Sequence, residues 1–468
     1  MSYIVHKIIG GRKYAYEITS YWDSETKSTK KKQQYIGVVE DKSKPNKKLL
    51  TQKLQLDFGD TYLVYKFMER LDIYEILTKS LGKISRDLIP LMCYRLTMQS
   101  AMYNAELWLD GNIAKILFDG IDLSSQNISK VLKKIGTEEV QRKFFEKYLS
   151  TVNSTTKKIM IDATSLPNDC DNRFNSWGHN DNGMSKQMRM ICVVDQETQQ
   201  PLFYRSLPGN LLDLSSLQNT LLELSKLNIK CDFVLLDAGY FSEENTNELY
   251  KQKIDFLTRM PKSRVLYKQL IQTEIADLEN IKYATTSGKR GIFAKCVKVD
   301  LHNHKAYAYI VLDPIRKGKE AQDLVIEHIQ DQAKDAESKQ QELAGCGIVI
   351  FISSIEIDSK DIVNYYYTRM QIEQVFSFYK TDLQLLPLRK HSEETLSGYL
   401  FLQFLVLVVF IQFRNAINEK YTVEQALIVT RNLKCKIFGN LISIAEYTKK
   451  QKEVYELCKI NIPKNWKF

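Results

Sequence analysis

Eight cysteines are scattered through 468 residues, as Cys93, Cys170, Cys192, Cys231, Cys296, Cys346, Cys435 and Cys458, and no two stand in a CxxC arrangement. That pattern offers neither a zinc ribbon nor a disulfide framework, and it predicts thiols kept in a reducing compartment. The opening Met1-Ser2-Tyr3-Ile4-Val5-His6-Lys7 lacks the long apolar stretch of a secretory leader. A bilayer-spanning run is also missing. Gly398 to Phe413 is apolar but short of the roughly 20 residues a bilayer needs, and Gln403 and Gln412 interrupt it, so it predicts a buried core helix. His302 and His304 have no Cys or His partner nearby in sequence, which favours an exposed hairpin turn over a metal site. Residues 61–150 read as helical but contain no helix-turn-helix pattern.

Apolar residues make up 44% of the chain, enough for a sizeable globular core. The formal net charge is +10, which favours a polyanionic partner without proving one. The charge is uneven. Residues 1–53 hold twelve Lys/Arg against five Asp/Glu, including Lys30-Lys31-Lys32 and the cluster from Lys42 to Lys48. Tyr14, Tyr16, Tyr21, Trp22 and Tyr35 interleave with these cations in an expected β-hairpin, a combination suited to DNA backbone contact.

The densest chemistry lies in Tyr366 to Lys380, where Tyr366, Arg369, Glu373 and Lys380 stand at offsets of 0, 3, 7 and 14. At about 100° per helical residue they project at roughly 0°, −60°, −20° and −40°, one narrow stripe. Ile372, Val375, Phe376, Tyr379 and Leu383 recur on another side, so the pattern predicts a helix packed by one face and presenting an acid between cations on the other. Such a stripe suits a metal-bound phosphate better than a solvated surface, whose charges pair at i,i+4 around the exposed side.

Two earlier aspartates are placed to join Glu373. Asp162 closes the apolar run Lys157-Lys158-Ile159-Met160-Ile161, and Asp237 closes Phe233-Val234-Leu235-Leu236, each reading as a buried strand with an acid at its end. Gly239 offers a tight exit before a helix capped near Ser242. Met188–Val194 and Leu202–Leu207 read as strands that complete an antiparallel meander with the Asp162 strand. A helix over 214–227, the Asp237 strand, a helix over 243–253 and a strand over 254–258 follow, an order that is mixed α/β.

The Tyr-Arg-Glu-Lys spacing, preceded by these two acids, resembles the Y-R-E-K signature of bacterial DDE-type insertion-sequence transposases of the insertion-sequence-four-like group. The resemblance covers roughly 157–413 and implies an RNase H-like catalytic core interrupted by a mostly β insertion. Taken with the charge and periodicity of the flanking segments, it gives the boundaries 1–55 for a basic β-rich region, 56–150 for a separate helical DNA-binding or assembly region, 151–260 and 347–418 for the two parts of the core, 261–346 for the insertion, and 419–468 for a helical tail. Some relatives stack an insertion Trp on a flipped base. None of Trp22, Trp108, Trp177 and Trp466 lies in the insertion, so either a Tyr such as Tyr307 or Tyr309 substitutes or the pathway differs.

By resemblance, Asp162, Asp237 and Glu373 are the catalytic and metal-binding acids. Tyr366, Arg369 and Lys380 grip transposon-end DNA beside the cut. Oxygen-only ligands favour Mg²⁺ or Mn²⁺, and three carboxylates suit two ions. The expected partners are double-stranded transposon-end and target DNA and a second copy of the chain, in a bacterial cytoplasm at the nucleoid, without a membrane. Two other readings remain open: an RNase H-fold nuclease lacking strand transfer, and a non-catalytic DNA-binding descendant.

Overall fold

The structure, a computed structural model, describes residues 2–467 apart from 10–11, 39–53, 99, 153–157, 169, 181–182, 212, 230, 331–335, 387, 418–419 and 439–440. The lysine cluster from Lys42 to Lys48 lies outside the described residues. The N-terminal region is a three-stranded antiparallel sheet of β1 (Ser2–Ile9), β2 (Arg12–Asp23) and β3 (Ser28–Val38), one strand more than the expected hairpin. A short strand, β4 (Leu54–Asp57), precedes the helices.

The central sheet has ten strands. β5 (Lys158–Pro167), β6 (Ser176–Asn180), β7 (Gly183–Asp195) and β8 (Pro201–Pro208) are antiparallel neighbours centred on β7. β9 (Phe233–Leu236) lies parallel to β5, and β10 (Asp255–Arg259) parallel to β9. Parallel neighbours need crossovers, which the helices Asp213–Lys226 and Glu243–Lys251 supply. β9 is buried throughout, so its sequence is apolar without alternation.

The same sheet continues through the expected insertion. β11 (Ala284–Ser287), β12 (Arg290–Leu301) and β13 (His304–Leu312) join β14 (Ile348–Ser353), which pairs antiparallel with both β13 and β10. His302 and Asn303 both take positive φ, 54° and 67°, as a two-residue primed turn demands. His304 stacks on Tyr250 with ring centroids 4.1 Å apart. Tyr309 is buried and its hydroxyl donates to the Ile357 carbonyl at 2.8 Å, which removes it as a base-stacking substitute.

The helix Glu393–Ala416 is the one described helix long and apolar enough to cross a membrane, and it is buried inside the fold. Being apolar on all sides, it needs cover on all sides. The helices Ser125–Ile135 and Glu138–Val152 supply it on one side, with Phe144 against Phe401 at 5.2 Å, and the sheet on another, with Tyr204 against Phe404 at 5.2 Å. Gly136 and Gly398 let two helices meet backbone to backbone: a Cβ on either would overlap a carbonyl of the other helix. The helical region expected to stand apart therefore shares one continuous core with the sheet. The tail also differs from a run of helices. Val423–Arg431 and Lys449–Leu457 are helices with capping boxes, but β15 (Lys434–Phe438), β16 (Leu441–Ile444) and β17 (Asn465–Lys467) pair into a four-stranded sheet with β4. The partner strand comes from nearly 380 residues upstream, a pairing that local pattern does not carry.

Candidate active site

β5 and β9 pair in parallel as far as Ile161 opposite Leu236. Asp162 and Asp237 are the next residues on strands about 4.8 Å apart, so register alone brings the two carboxylates together. Asp162 does not end its strand as the sequence suggested. β5 runs on to Pro167, held by β7, with Asp162 opposite Cys192. The strand end belongs to the β5–β9 ladder, not to β5 itself. After Asp237 the chain turns through the 3-10 segment Ala238–Tyr240 without a positive φ at Gly239, and Ser242 caps the next helix by accepting from the Asn245 amide at 3.1 Å.

Glu373 arrives on a broken helix rather than the regular one expected. Ile362–Tyr367 ends at Thr368, where amides bond three residues back: Arg369 to Tyr366 at 3.0 Å and Gln371 to Thr368 at 2.9 Å. Gln196 pins this break, donating to the Thr368 hydroxyl at 3.0 Å. The helix resumes over Met370–Ser377, burying Ile372 and Val375, and then widens into a π turn over Phe378–Asp382. Such turns recur at functional sites. Because a π turn advances more residues per revolution, the stripe computed for an unbroken α-helix does not hold past Ser377, and half-buried Lys380 sits on the widened turn.

Arg369 occupies the centre of the acids. Its Nη1 donates to Asp162 Oδ2 at 2.7 Å and its Nη2 to Glu373 Oε1 at 2.7 Å, with Asp237 Oδ1 at 3.5 Å. All three carboxylates thus surround one guanidinium, and its width bounds the Asp162–Glu373 oxygen separation at about 8 Å. Tyr366 is buried against Phe351 at a centroid distance of 4.6 Å and donates its hydroxyl to Asp237 Oδ1 at 3.3 Å. Tyr366 and Arg369 therefore face the acids, not solvent as an exposed stripe would have them. The side chains of Asp162, Asp237 and Glu373 are 13%, 31% and 50% exposed, so access to the site comes from the Glu373 side.

Burial would lower the Arg369 guanidinium, but Asp162, Asp237 and Glu373 outweigh it and hold the charge firmly. Burial, reinforced by the Asp237 charge, pushes the Tyr366 phenol well up, so it stays a donor. Two residues on β10 escaped the sequence reading. Thr258 donates to the Asp237 carbonyl at 3.2 Å, and exposed Arg259 at the strand's end lies close enough to act on the Tyr366 phenol. The signal was available: a strand parallel to β9 ends at the same edge as Asp237.

Among the described residues no three His, Cys, Asp or Glu side chains are grouped to hold a metal ion as they stand. The donor set nevertheless fits a hard divalent cation, since three carboxylates already converge on one positive group. The guanidinium occupies the space between them. Oxygen-rich acids at a sheet edge, with cations on hand, are equipped for phosphodiester chemistry rather than nucleophilic catalysis by a side chain.

The profile described as the transposase DDE domain matches residues 153–409. No curated protein matches the chain significantly. Among solved structures the chain is similar to one titled "Cryo-EM structure of piggyBac transposase synaptic complex with hairpin DNA", with 11% identity, 87% of this chain and 82% of that chain covered, and a TM-score of 0.41. A likeness that remote carries no argument about chemistry. The family match spans more than half of the chain and contains all three acids with Tyr366, Arg369 and Lys380, so the chain belongs to the DDE-domain transposases.

Proposed function

We propose that this transposase cuts transposon-end DNA by metal-dependent in-line attack at phosphodiesters and joins the freed 3′ end to target DNA. The observation that carries the reading is the convergence of Asp162, Asp237 and Glu373 on the Arg369 guanidinium. The antiparallel β8-β7-β5 meander followed by parallel β9 and β10 supports an RNase H-like core, and the Tyr366, Arg369, Glu373, Lys380 spacing supports membership of the insertion-sequence-four-like group.

Bound Mg²⁺ or Mn²⁺, two ions by the count of acids, would activate the attacking oxygen and stabilise the leaving one. Asp162, Asp237 and Glu373 would hold it. Arg369 then leaves its carboxylates, and its planar fork takes a phosphate oxygen pair beside the scissile bond. Lys380 holds a neighbouring phosphate as a point charge. Tyr366 stays buried and orients the Asp237 carboxylate, with Thr258 fixing the backbone beneath it. The substrates are double-stranded transposon ends and target DNA, held by a homodimer in a bacterial cytoplasm at the nucleoid.

The test uses Asp162→Asn, Asp237→Asn and Glu373→Gln on an end-containing duplex with Mg²⁺. Each should abolish cleavage while leaving end binding nearly unchanged, because phosphate contacts elsewhere carry affinity. Wild-type cleavage by any one variant removes that residue from the site. Cleavage without joined product in the unmodified protein leaves the nuclease reading in place of the transposase one.

A further inference from the structure

The two faces of the N-terminal sheet are chemically different. Register places Tyr3 beside Ile18, Lys7 beside Tyr14, Tyr16 beside Tyr35 and Ser20 beside Lys31, so these residues share one face, with Trp22 further along the same row of β2. This face carries five aromatic rings, and among the described side chains it carries Lys7 and Lys31 but no carboxylate. The opposite face carries Glu17 and Asp23, and Asp23 is ion-paired to Lys30 there.

The aromatic face has a built interior and an open exterior. Tyr14 and Tyr16 lie half-buried against Tyr35, at centroid distances of 6.2 and 5.5 Å, and the Lys7 ammonium stands 5.5 Å from the Tyr16 ring. Tyr3, Trp22 and Tyr35 are nevertheless 45%, 66% and 54% exposed. Rings held in place by a sheet yet open to solvent lose little freedom on binding a planar partner, and every nucleobase has such a face. Spacing selects the partner further. Trp22, Tyr35 and Tyr3 stand on three different strands, and Trp22 lies six residues, about 20 Å, along β2 from the Tyr16–Tyr35 pair, well beyond the ~3.4 Å rise of bases stacked in a duplex strand. Bases must therefore leave the stack to reach the rings, and a paired duplex presents only its edges and phosphates.

We infer that the aromatic face of the β1–β3 sheet is a binding platform for an unpaired nucleic-acid strand. Trp22, Tyr35 and Tyr3 stack on bases, and Lys7 and Lys31 neutralise the phosphates between them. Binding here is independent of the acids at the sheet edge and of any metal, so it stands or falls separately from the catalytic reading.

The experiment measures fluorescence anisotropy of the full-length protein with labelled oligothymidylate of about 20 nucleotides, longer than the ~4–16 of one stacking module. A duplex of equal length is run beside it, both in EDTA to silence cleavage. Trp22→Ala and Tyr35→Ala should each weaken single-strand binding roughly 5- to 150-fold and change duplex binding much less, while Trp22→Phe keeps most of the affinity. Lys7→Ala should lower the single-strand salt slope by about 0.7. Tyr21→Ala, on the opposite face and 49% exposed, is the matched control and should have no effect. The inference is overturned if Trp22→Ala and Tyr35→Ala leave oligothymidylate affinity unchanged, or if Tyr21→Ala costs as much as Trp22→Ala. It is equally overturned if the aromatic variants convert a dimer to a monomer in sedimentation without touching oligothymidylate affinity, since the face would then be covered by a second copy.

Discussion

Removing the guanidinium from the middle of the acids separates its two jobs. In Arg369→Ala, Asp162 loses a partner at 2.7 Å in a site where its side chain is 13% exposed, and Glu373 loses one where it is 50% exposed. The first loss is worth about 1.5–3 kcal/mol, as for a hydrogen bond between charged groups, and the second, screened by water, about 0–1 kcal/mol. The mutual repulsion of the carboxylates, roughly 2 kcal/mol for a pair about 8 Å apart at an effective dielectric near 20, is present in both proteins and does not add to the difference. Relaxation of half-exposed Glu373 toward water relieves part of the loss. The metal-free variant should therefore unfold about 2–4 kcal/mol more easily in urea. Metal affinity should move the other way. A divalent cation entering the wild-type site must displace two charged hydrogen bonds, whereas in the variant it meets a vacated acidic pocket. Mn²⁺ binding, followed by calorimetry, should tighten roughly tenfold or more, about 1.4 kcal/mol, and saturating metal should restore most of the lost stability. DNA cleavage should nonetheless fall, because the phosphate contact proposed for Arg369 is gone. Loss of metal binding in Arg369→Ala would refute this reasoning, since the guanidinium would then be a strut that keeps the acids in place.

Arg369→Lys should impair cleavage nearly as much as Arg369→Ala, because an ammonium cannot reproduce the two-pronged contact; full activity in that variant would make the residue structural. Lys380→Ala should leave metal affinity unchanged while weakening end-DNA binding and lowering its salt slope by about 0.9, read from titrations at several ionic strengths. Gly398→Ala should destabilise the fold by about 3 kcal/mol in urea, since the added methyl overlaps the Leu132 carbonyl and backbone has no cheap way to yield. Burial, with the Asp162 charge behind it, pushes the Cys192 thiol up to about 12, and burial does the same to Cys458. A thiol raised in the fold contributes stability that is complete below its unfolded value near 9 and lost as pH climbs towards 12. Urea midpoints should therefore fall across that alkaline window, and Cys192 and Cys458 should resist a thiol reagent at pH 8 until the chain unfolds.

Local pattern was enough to place the strands that carry the two aspartates. The apolar runs leading to Asp162 and Asp237, the turn at His302-Asn303 and the cap at Ser242 all depend on residues adjacent in sequence, where turn chemistry and hydrophobic period act directly. The spacing likewise singled out Tyr366, Arg369 and Glu373, which meet the two aspartates. What they do to one another depended on longer range. Asp162 meets Asp237 through the register of two strands separated by three more strands and a helix. The break at Thr368 is held by Gln196 from a distant turn, and it swings Tyr366 and Arg369 inward. The short apolar run with Gln403 and Gln412 marked Glu393–Ala416 as a core helix, but which helices and strands cover it was decided only in the fold. The tail became a sheet because β4 offered β15 a partner edge from the far end of the chain. Residue type and period thus determined the chemistry available and the local secondary structure. Pairing partners, burial and the place of the guanidinium among the acids were decided only by tertiary structure, because each depends on groups brought together by closing long loops.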